Sequence, residues 1–117
     1  MTMKQEIEVR VENRGGVTLF DIKGDVTVFS EPFLNEAYEK ANNEGVKNLL
    51  LKFEESAYIN SGGIAVLIQL LAKTKQNNQQ IGITGLSEHF KKIFNMVGIT
   101  KFAKIHNSME EALSSLS

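Results

Sequence analysis

Ile7, Val9 and Val11 alternate with Glu8, Arg10 and Glu12. A period of two predicts a half-buried strand. Asn13-Arg14-Gly15-Gly16 follows as a turn, because Asn and Gly tolerate positive φ. Val17 to Lys23 is a second, mostly apolar strand, so the chain opens on an antiparallel hairpin. The period then changes. Gly24 to Phe29 leads to Ser30, which reads as a helix N-cap, with Pro32 in the first turn where its missing N–H costs nothing. Phe33, Leu34, Ala37, Tyr38 and Ala41 give one apolar helix face, and Gly45 stops it.

Val46 to Phe53 returns to a strand pattern centred on Leu49-Leu50-Leu51, apolar on both faces as in an inner strand of a covered sheet. Asn60-Ser61-Gly62-Gly63 precedes a helix from about Ile64 to Lys75 that is apolar nearly all round. The polar stretch Thr74 to Gln80 ends it, with Asn able to replace Gly at a left-handed cap. Ile81 and Ile83 mark a short strand. Ser87 caps a helix carrying Phe90, Ile93, Phe94 and Val97, and Gly98 stops it. Phe102 to Ile105 reads as a final edge strand, and Ser108-Met109-Glu110-Glu111 as a capping box opening a last helix. The order β-β-α-β-α-β-α-β-α predicts an α/β fold: a mixed, mostly parallel sheet with an N-terminal hairpin and about four helices.

Composition narrows the function. The chain has 117 residues, the size of one domain, so residues 1–117 are expected to fold as a unit. Thirteen Lys and Arg against 14 Asp and Glu argue against nucleic-acid binding. The absence of Cys excludes disulfides, thiolate zinc sites and cysteine nucleophiles. Two histidines, His89 and His106, give little support for a metal, and no cofactor is expected. Met1 to Glu6 lacks an apolar signal core. The longest apolar run, Ile64 to Ala72, is broken by Gln69 and falls far short of the ~20 residues that span a bilayer. A cytoplasmic protein without membrane insertion is expected. Charge is uneven: six Glu and three Lys lie between Glu31 and Glu55, six Lys and one Glu between Lys73 and Lys104.

Catalytic patterns are missing. Asn60 to Gly63 is not a P-loop, since no Gly-Lys-Ser/Thr follows, and Ile59 stands where a nucleophile elbow needs Gly. Glu54 and Glu55 read as a solvated loop, His89 and His106 as surface residues, Lys91-Lys92 as a solvated helix face, and Phe90, Phe94 and Met96 as core. What stands out is Asn60-Ser61-Gly62-Gly63, between a buried strand and a buried helix at the C-terminal edge of a parallel sheet, where sites are built. The helix start offers free N–H groups and a positive dipole end, so a phosphate on Ser61 would be accommodated. The glycines would leave room for another protein to come close. The same four residues also suit an ordinary tight turn, with Asn60 or Ser61 as N-cap.

The arrangement resembles the STAS domain family, specifically the bacterial anti-sigma factor antagonists, over about Val17 to Leu116. The matching segments are Gly24-Asp25-Val26, Leu49 to Phe53, Tyr58 to Ile64, Lys92 to Ile99 and Ser108 to Leu113. The resemblance implies a non-enzymatic switch. The first Ser of an Asp-Ser-Ser/Thr-Gly-Leu segment, here Ser61, is phosphorylated by a partner that is both anti-sigma factor and serine kinase of the GHKL type. The unphosphorylated antagonist sequesters that partner, the phosphorylated form releases it, and a phosphatase would reset it. The implied partner-binding residues are Asn60, Gly62, Gly63, Ile64, Asp25, Thr27 and Ser30. Three departures stand out: Asn60 for Asp, Gly62 for the second Ser or Thr, and Thr27 where many members are acidic. They leave two other readings open: a STAS scaffold or component of a signalling or lipid-transport complex outside phosphorylation control, and a small-ligand or nucleotide sensor.

Overall fold

A computed structural model describes residues 7–117; Met1 to Glu6 lie outside the described residues. The first two strands, β1 (Glu8–Arg14) and β2 (Val17–Lys23), form the antiparallel hairpin, joined by Gly15 and Gly16 alone. Both have positive φ, 58° and 86°, as a two-residue turn matched to strand twist requires. Helix α1 (Glu31–Asn43) leads to β3 (Asn48–Lys52), α2 (Ser61–Gln76) to β4 (Gln80–Thr84), and α3 (Glu88–Met96) to β5 (Lys104–Ile105); α4 (Met109–Leu116) ends the chain. The five strands lie in sequence order, β1-β2-β3-β4-β5, and every pair after the hairpin is parallel.

Each crossover steps one strand in the same direction, so α1, α2 and α3 share one sheet face. Phe20 and Ile22 of β2, Leu49 and Leu51 of β3, and Ile81 and Ile83 of β4 meet them in the main core. The alternate residues Val17, Leu19 and Leu50 face the other way and pack on Ala112 and Leu116 of α4. Two covered faces explain the unbroken Leu49-Leu50-Leu51. Leu67, Leu70 and Leu71 of α2 are buried, as its pattern demands. Asn78, at φ 56°, takes the left-handed position after α2, as Gly45 and Gly98 do after α1 and α3.

Five local readings are corrected. Ser30 does not cap α1: its backbone is already helical and its side chain makes no capping bond there. A short 3-10 turn, Val28–Ser30, precedes α1, and Thr27 caps that instead. The segment read as the last strand, Phe102 to Ile105, begins where a second 3-10 turn, Ile99–Lys101, is closed by Phe102, which leaves β5 only two residues. Met96 is 84% exposed, not core; two positions beyond the buried Phe94, it is carried about 200° round the helix. His106 is buried rather than on the surface, its ring against Gly82 and its Nδ1 without a hydrogen bond, 3.5 Å from Glu111 Oε1. The Ser108 hydroxyl accepts from Glu111 N at 3.1 Å, but the Glu111 carboxylate turns toward His106 instead of closing a capping box.

Candidate functional site

Strands β2 and β3 are neighbours, so the loops leaving their C-terminal ends meet. They are stitched into one piece by backbone bonds. Val26 N donates to Tyr58 O at 2.9 Å, Asn60 N donates to Val26 O at 3.2 Å, and Val26 and Ile59 form an isolated parallel bridge. Side chains add two links: Asp25 Oδ1 accepts from Tyr58 N at 2.9 Å and Glu54 Oε1 from Gly24 N at 2.8 Å. Glu54 is therefore exposed, as expected of a loop carboxylate, yet holds one loop to the next.

Helix α2 begins on this frame, at Ser61 rather than near Ile64. Asn60 is the N-cap, its backbone extended and its Oδ1 accepting from Gly63 N at 2.8 Å. Ser61 is the first helical residue, exposed, and its hydroxyl is not needed as a cap. Ile64 is half-buried, and its N–H bonds Asn60 O at 2.9 Å. Among the described residues, no hydrogen bond occupies the N–H groups of Ser61 and Gly62. They lie at the positive end of a 16-residue helix.

The glycines serve a different purpose from the one their lack of side chains suggested. The space beside them is filled by the chain itself. A Cβ on Gly63 would overlap the Val26 carbonyl oxygen and lie 2.6 Å from its carbon. One on Gly62 would sit 3.2 Å from Val28 Cβ. The first turn of α2 thus lies directly on the Val26–Val28 backbone, and the expected opening for a partner at the glycines is closed.

Of the other residues implied as partner-binding, Thr27 and Ser30 bond each other's loop. Thr27 Oγ1 accepts from Phe29 N at 3.1 Å, and Ser30 Oγ accepts from Thr27 N at 2.9 Å. Ser30 is only 3% exposed, while Asp25 is exposed and Thr27 half-buried. The residues presented outward beside Ser61 are Val28 and Phe29, 56% and 63% exposed, with Tyr58 on the paired loop at 59%. The Tyr58 ring meets Phe90 of α3 edge-on at 5.8 Å. Sequence reasoning missed Val28 and Phe29 because an apolar run between strand and helix reads as core; the 3-10 turn fixed by Thr27 and Ser30 turns them out.

Ala57 to Ile64, the segment that carries Ser61, contains no Asp, Glu, His or Lys. Among the described residues, no cluster of three His, Asp or Glu could hold a metal ion, and no helix is long and apolar enough to cross a membrane.

The STAS domain family model matches residues 8–112. The chain belongs to the STAS domain family. The anti-sigma-B factor antagonist of Staphylococcus aureus (strain NCTC 8325 / PS 47) is 21% identical to this STAS chain over 110 residues, covering 92% of it and 98% of the relative. A protein of the same name from Staphylococcus epidermidis is 22% identical over 89 residues, 76% of this chain and 82% of its own. Among solved structures, an anti-sigma factor antagonist from Mycobacterium paratuberculosis superposes with a TM-score of 0.81 at 16% identity, covering 99% of this chain and 98% of that one. The Bacillus cell fate determinant SpoIIAA in its phosphorylated form superposes with a TM-score of 0.66 at 12% identity, covering 94% and 100%. These superpositions establish a shared STAS fold.

Proposed function

We propose that this STAS domain is an anti-sigma factor antagonist, switched by phosphorylation of Ser61. The observation that carries the reading is the division of labour at the start of α2: Asn60 caps the helix, which leaves the Ser61 hydroxyl exposed and without a structural duty. The names of the relatives supply the partner class. An anti-sigma factor that is also a GHKL-type serine kinase would transfer the γ-phosphoryl of ATP to Ser61 Oγ; the hydroxyl proton would leave to a kinase base, and ADP would be released. The kinase supplies ATP, Mg²⁺ and catalysis, while this chain supplies the acceptor and the surface.

The switch follows from where the new charge would fall. Phosphate adds about -1.5 to -2 charge and three acceptor oxygens. For the antagonist alone this is tolerable, because the free N–H groups of Ser61 and Gly62 and the helix dipole favour an anion by about 0.3–1 kcal/mol. For a complex closed over Ser61 it is not. An uncompensated charge buried at an interface costs about 3–5 kcal/mol, more than a hundredfold in affinity. A second reading, a STAS scaffold outside phosphorylation control, rests on Asn60 and Thr27. Both are uncharged, and both side chains cap turns of the chain itself.

The test uses a GHKL-type anti-sigma factor kinase from the source genome. Wild type and Ser61→Ala should bind it equally in the absence of ATP, and Ser61→Asp should bind at least several-fold more weakly. With ATP, intact-mass spectrometry should show a single phosphate on wild type and none on Ser61→Ala. Equal binding by all three, with Ser61 unmodified by ATP, refutes the switch and leaves the scaffold.

A further inference from the structure

We infer that two copies of this chain pair edge to edge through β1, antiparallel about a two-fold axis at Val11, so that their two sheets become one. The inference stands apart from the antagonist reading, since no residue of β1 belongs to the frame around Ser61.

The edge is open. Among the described residues, β1 pairs with β2 alone. Sheet edges are commonly blunted by shortness, by Pro or Lys, or by a bulge. The opposite edge, β5, is only two residues long. Strand β1 has seven residues, contains no Pro, Gly or Lys, and pairs with β2 residue for residue, without a bulge. The Gly15-Gly16 turn fixes which backbone groups face out. The pair that closes it, Arg14 and Val17, exchanges both ladder hydrogen bonds, and the alternation of an antiparallel ladder then turns the N–H and C=O of Val9, Val11 and Asn13 away from β2. Val11 is 48% exposed, in a groove with Val9 and with Phe33 and Ala37 of α1.

The other face selects the occupant and the register. Glu8, Arg10, Glu12 and Arg14 form an exposed row of alternating sign. With Val11 opposite its own counterpart, Glu8 faces Arg14 of the second copy and Arg10 faces its Glu12, and symmetry repeats each pair. Val9 and Asn13 then face each other, and the backbone groups of both point outward, so the charge register and the hydrogen-bonding register coincide. A slip of one residue sets outward groups against inward ones. A slip of two sets Glu8 against Glu12 and Arg10 against itself, or Arg10 against Arg14 and Glu12 against itself. Opposite charges across a strand pair stabilise it and like charges oppose it. The contacts along the strand need not break. Arg10 Nε donates to Glu8 Oε1 at 2.8 Å and Arg14 Nε to Glu12 Oε2 at 3.1 Å. A guanidinium has further N–H donors and a carboxylate further lone pairs, so each charge keeps its neighbour along the strand and adds one across it.

Sedimentation equilibrium of the full chain, from micromolar to millimolar, tests this. Wild type should show a monomer–dimer equilibrium. Arg10→Glu and Glu12→Arg each turn two opposite pairs into like ones, and each should weaken the dimer about tenfold. Mixed in equal amounts, the two variants should dimerise at least as well as wild type, because every facing pair between them is again opposite. The double variant Arg10→Glu/Glu12→Arg should regain the dimer for the same reason. Circular dichroism reports folding; if either single variant is unfolded, the other and the double variant decide. A wild type that sediments as a monomer throughout overturns the inference. So does a dimer that the folded single variants leave within twofold of wild type, or one whose loss neither the mixture nor the double variant reverses. Each of these results leaves the antagonist reading intact, because that reading is tested by binding to the kinase.

Discussion

Replacing Gly63 by Ala adds one methyl group, and the site has nowhere to put it. The new Cβ would overlap the Val26 carbonyl oxygen, with Val26 C at 2.6 Å and Thr27 N at 3.1 Å. All three are backbone atoms, so no rotamer change relieves the clash. Ordinary contact begins near 3.4 Å, so the first turn of α2 must withdraw by about 0.8 Å from the carbon alone. That movement strains the Asn60 N to Val26 O bond and the Asn60 cap on Gly63 N. Overpacking costs about 1–3 kcal/mol, and two weakened hydrogen bonds add about 1 kcal/mol each. The lower backbone entropy of Ala in the unfolded chain returns up to about 1 kcal/mol. The net is a loss of about 2–4 kcal/mol, or about 8–16 °C in Tm for a chain of this size. Gly62→Ala is the matched control. Its nearest contacts are 3.2 Å to Val28 Cβ and 3.3 Å to Val28 N, which small shifts relieve, so its stability should stay within about 1 kcal/mol of wild type. Scanning calorimetry of the three proteins decides. A Gly63→Ala protein that melts within 2 °C of wild type, about half a kcal/mol, refutes the close approach of α2 to Val26.

Asn60→Ala should lose about 1 kcal/mol in urea denaturation and Ser61→Ala essentially nothing, since only Asn60 caps α2; the reverse order would reassign the cap. Leu71→Ala, at a fully buried position, should cost about 2–5 kcal/mol by the same assay, and a midpoint equal to wild type would contradict the burial of α2. Tyr38→Phe should cost about 1–2 kcal/mol, because the Tyr38 hydroxyl donates to Gln79 Oε1 and accepts from Asn77 Nδ2, both at 2.7 Å. An unchanged thermal midpoint would show that this link between α1 and the end of α2 contributes nothing.

What could be read from the sequence was what a single residue type decides locally. Gly45, Asn78 and Gly98 end helices in left-handed conformation, which few other residues adopt, so helix ends are legible. Leu49-Leu50-Leu51 announces two covered faces without saying which element covers the second; that α4 does so depends on the whole topology. Ser30 and Ser108 are both good capping residues, yet only the Ser108 hydroxyl caps its α-helix. Thr27, three positions before Ser30, takes the cap of the 3-10 turn, and the Glu111 side chain lies beside the buried His106 instead of completing a capping box. The site divides the same way. Ser61 is legible as an exposed residue at a helix start, because the strand-to-helix junction fixes its place. The roles of Gly62 and Gly63 are not, because they answer to Val26 and Val28, more than thirty residues away in the chain.

That long-range contact bears on how a switch at Ser61 would work. The two loops are joined by backbone bonds on both sides of Val26, by the Asp25 and Glu54 side chains, and by a glycine with no clearance. None of these links passes through the Ser61 hydroxyl. A group added there would not pull on the frame, and the frame has no slack with which to amplify a small displacement. A conformational relay would instead need two arrangements of comparable energy, and the Val26–Gly63 contact disfavours any that brings α2 closer. The departures at Asn60, Gly62 and Thr27 fit the same view. Asn60 and Thr27 cap turns of the frame, Gly62 gives Val28 clearance, and none of the three carries a charge. A phosphate on Ser61 would be read directly from the surface of this STAS domain, as one charged group within a segment, Ala57 to Ile64, that carries no charge of its own.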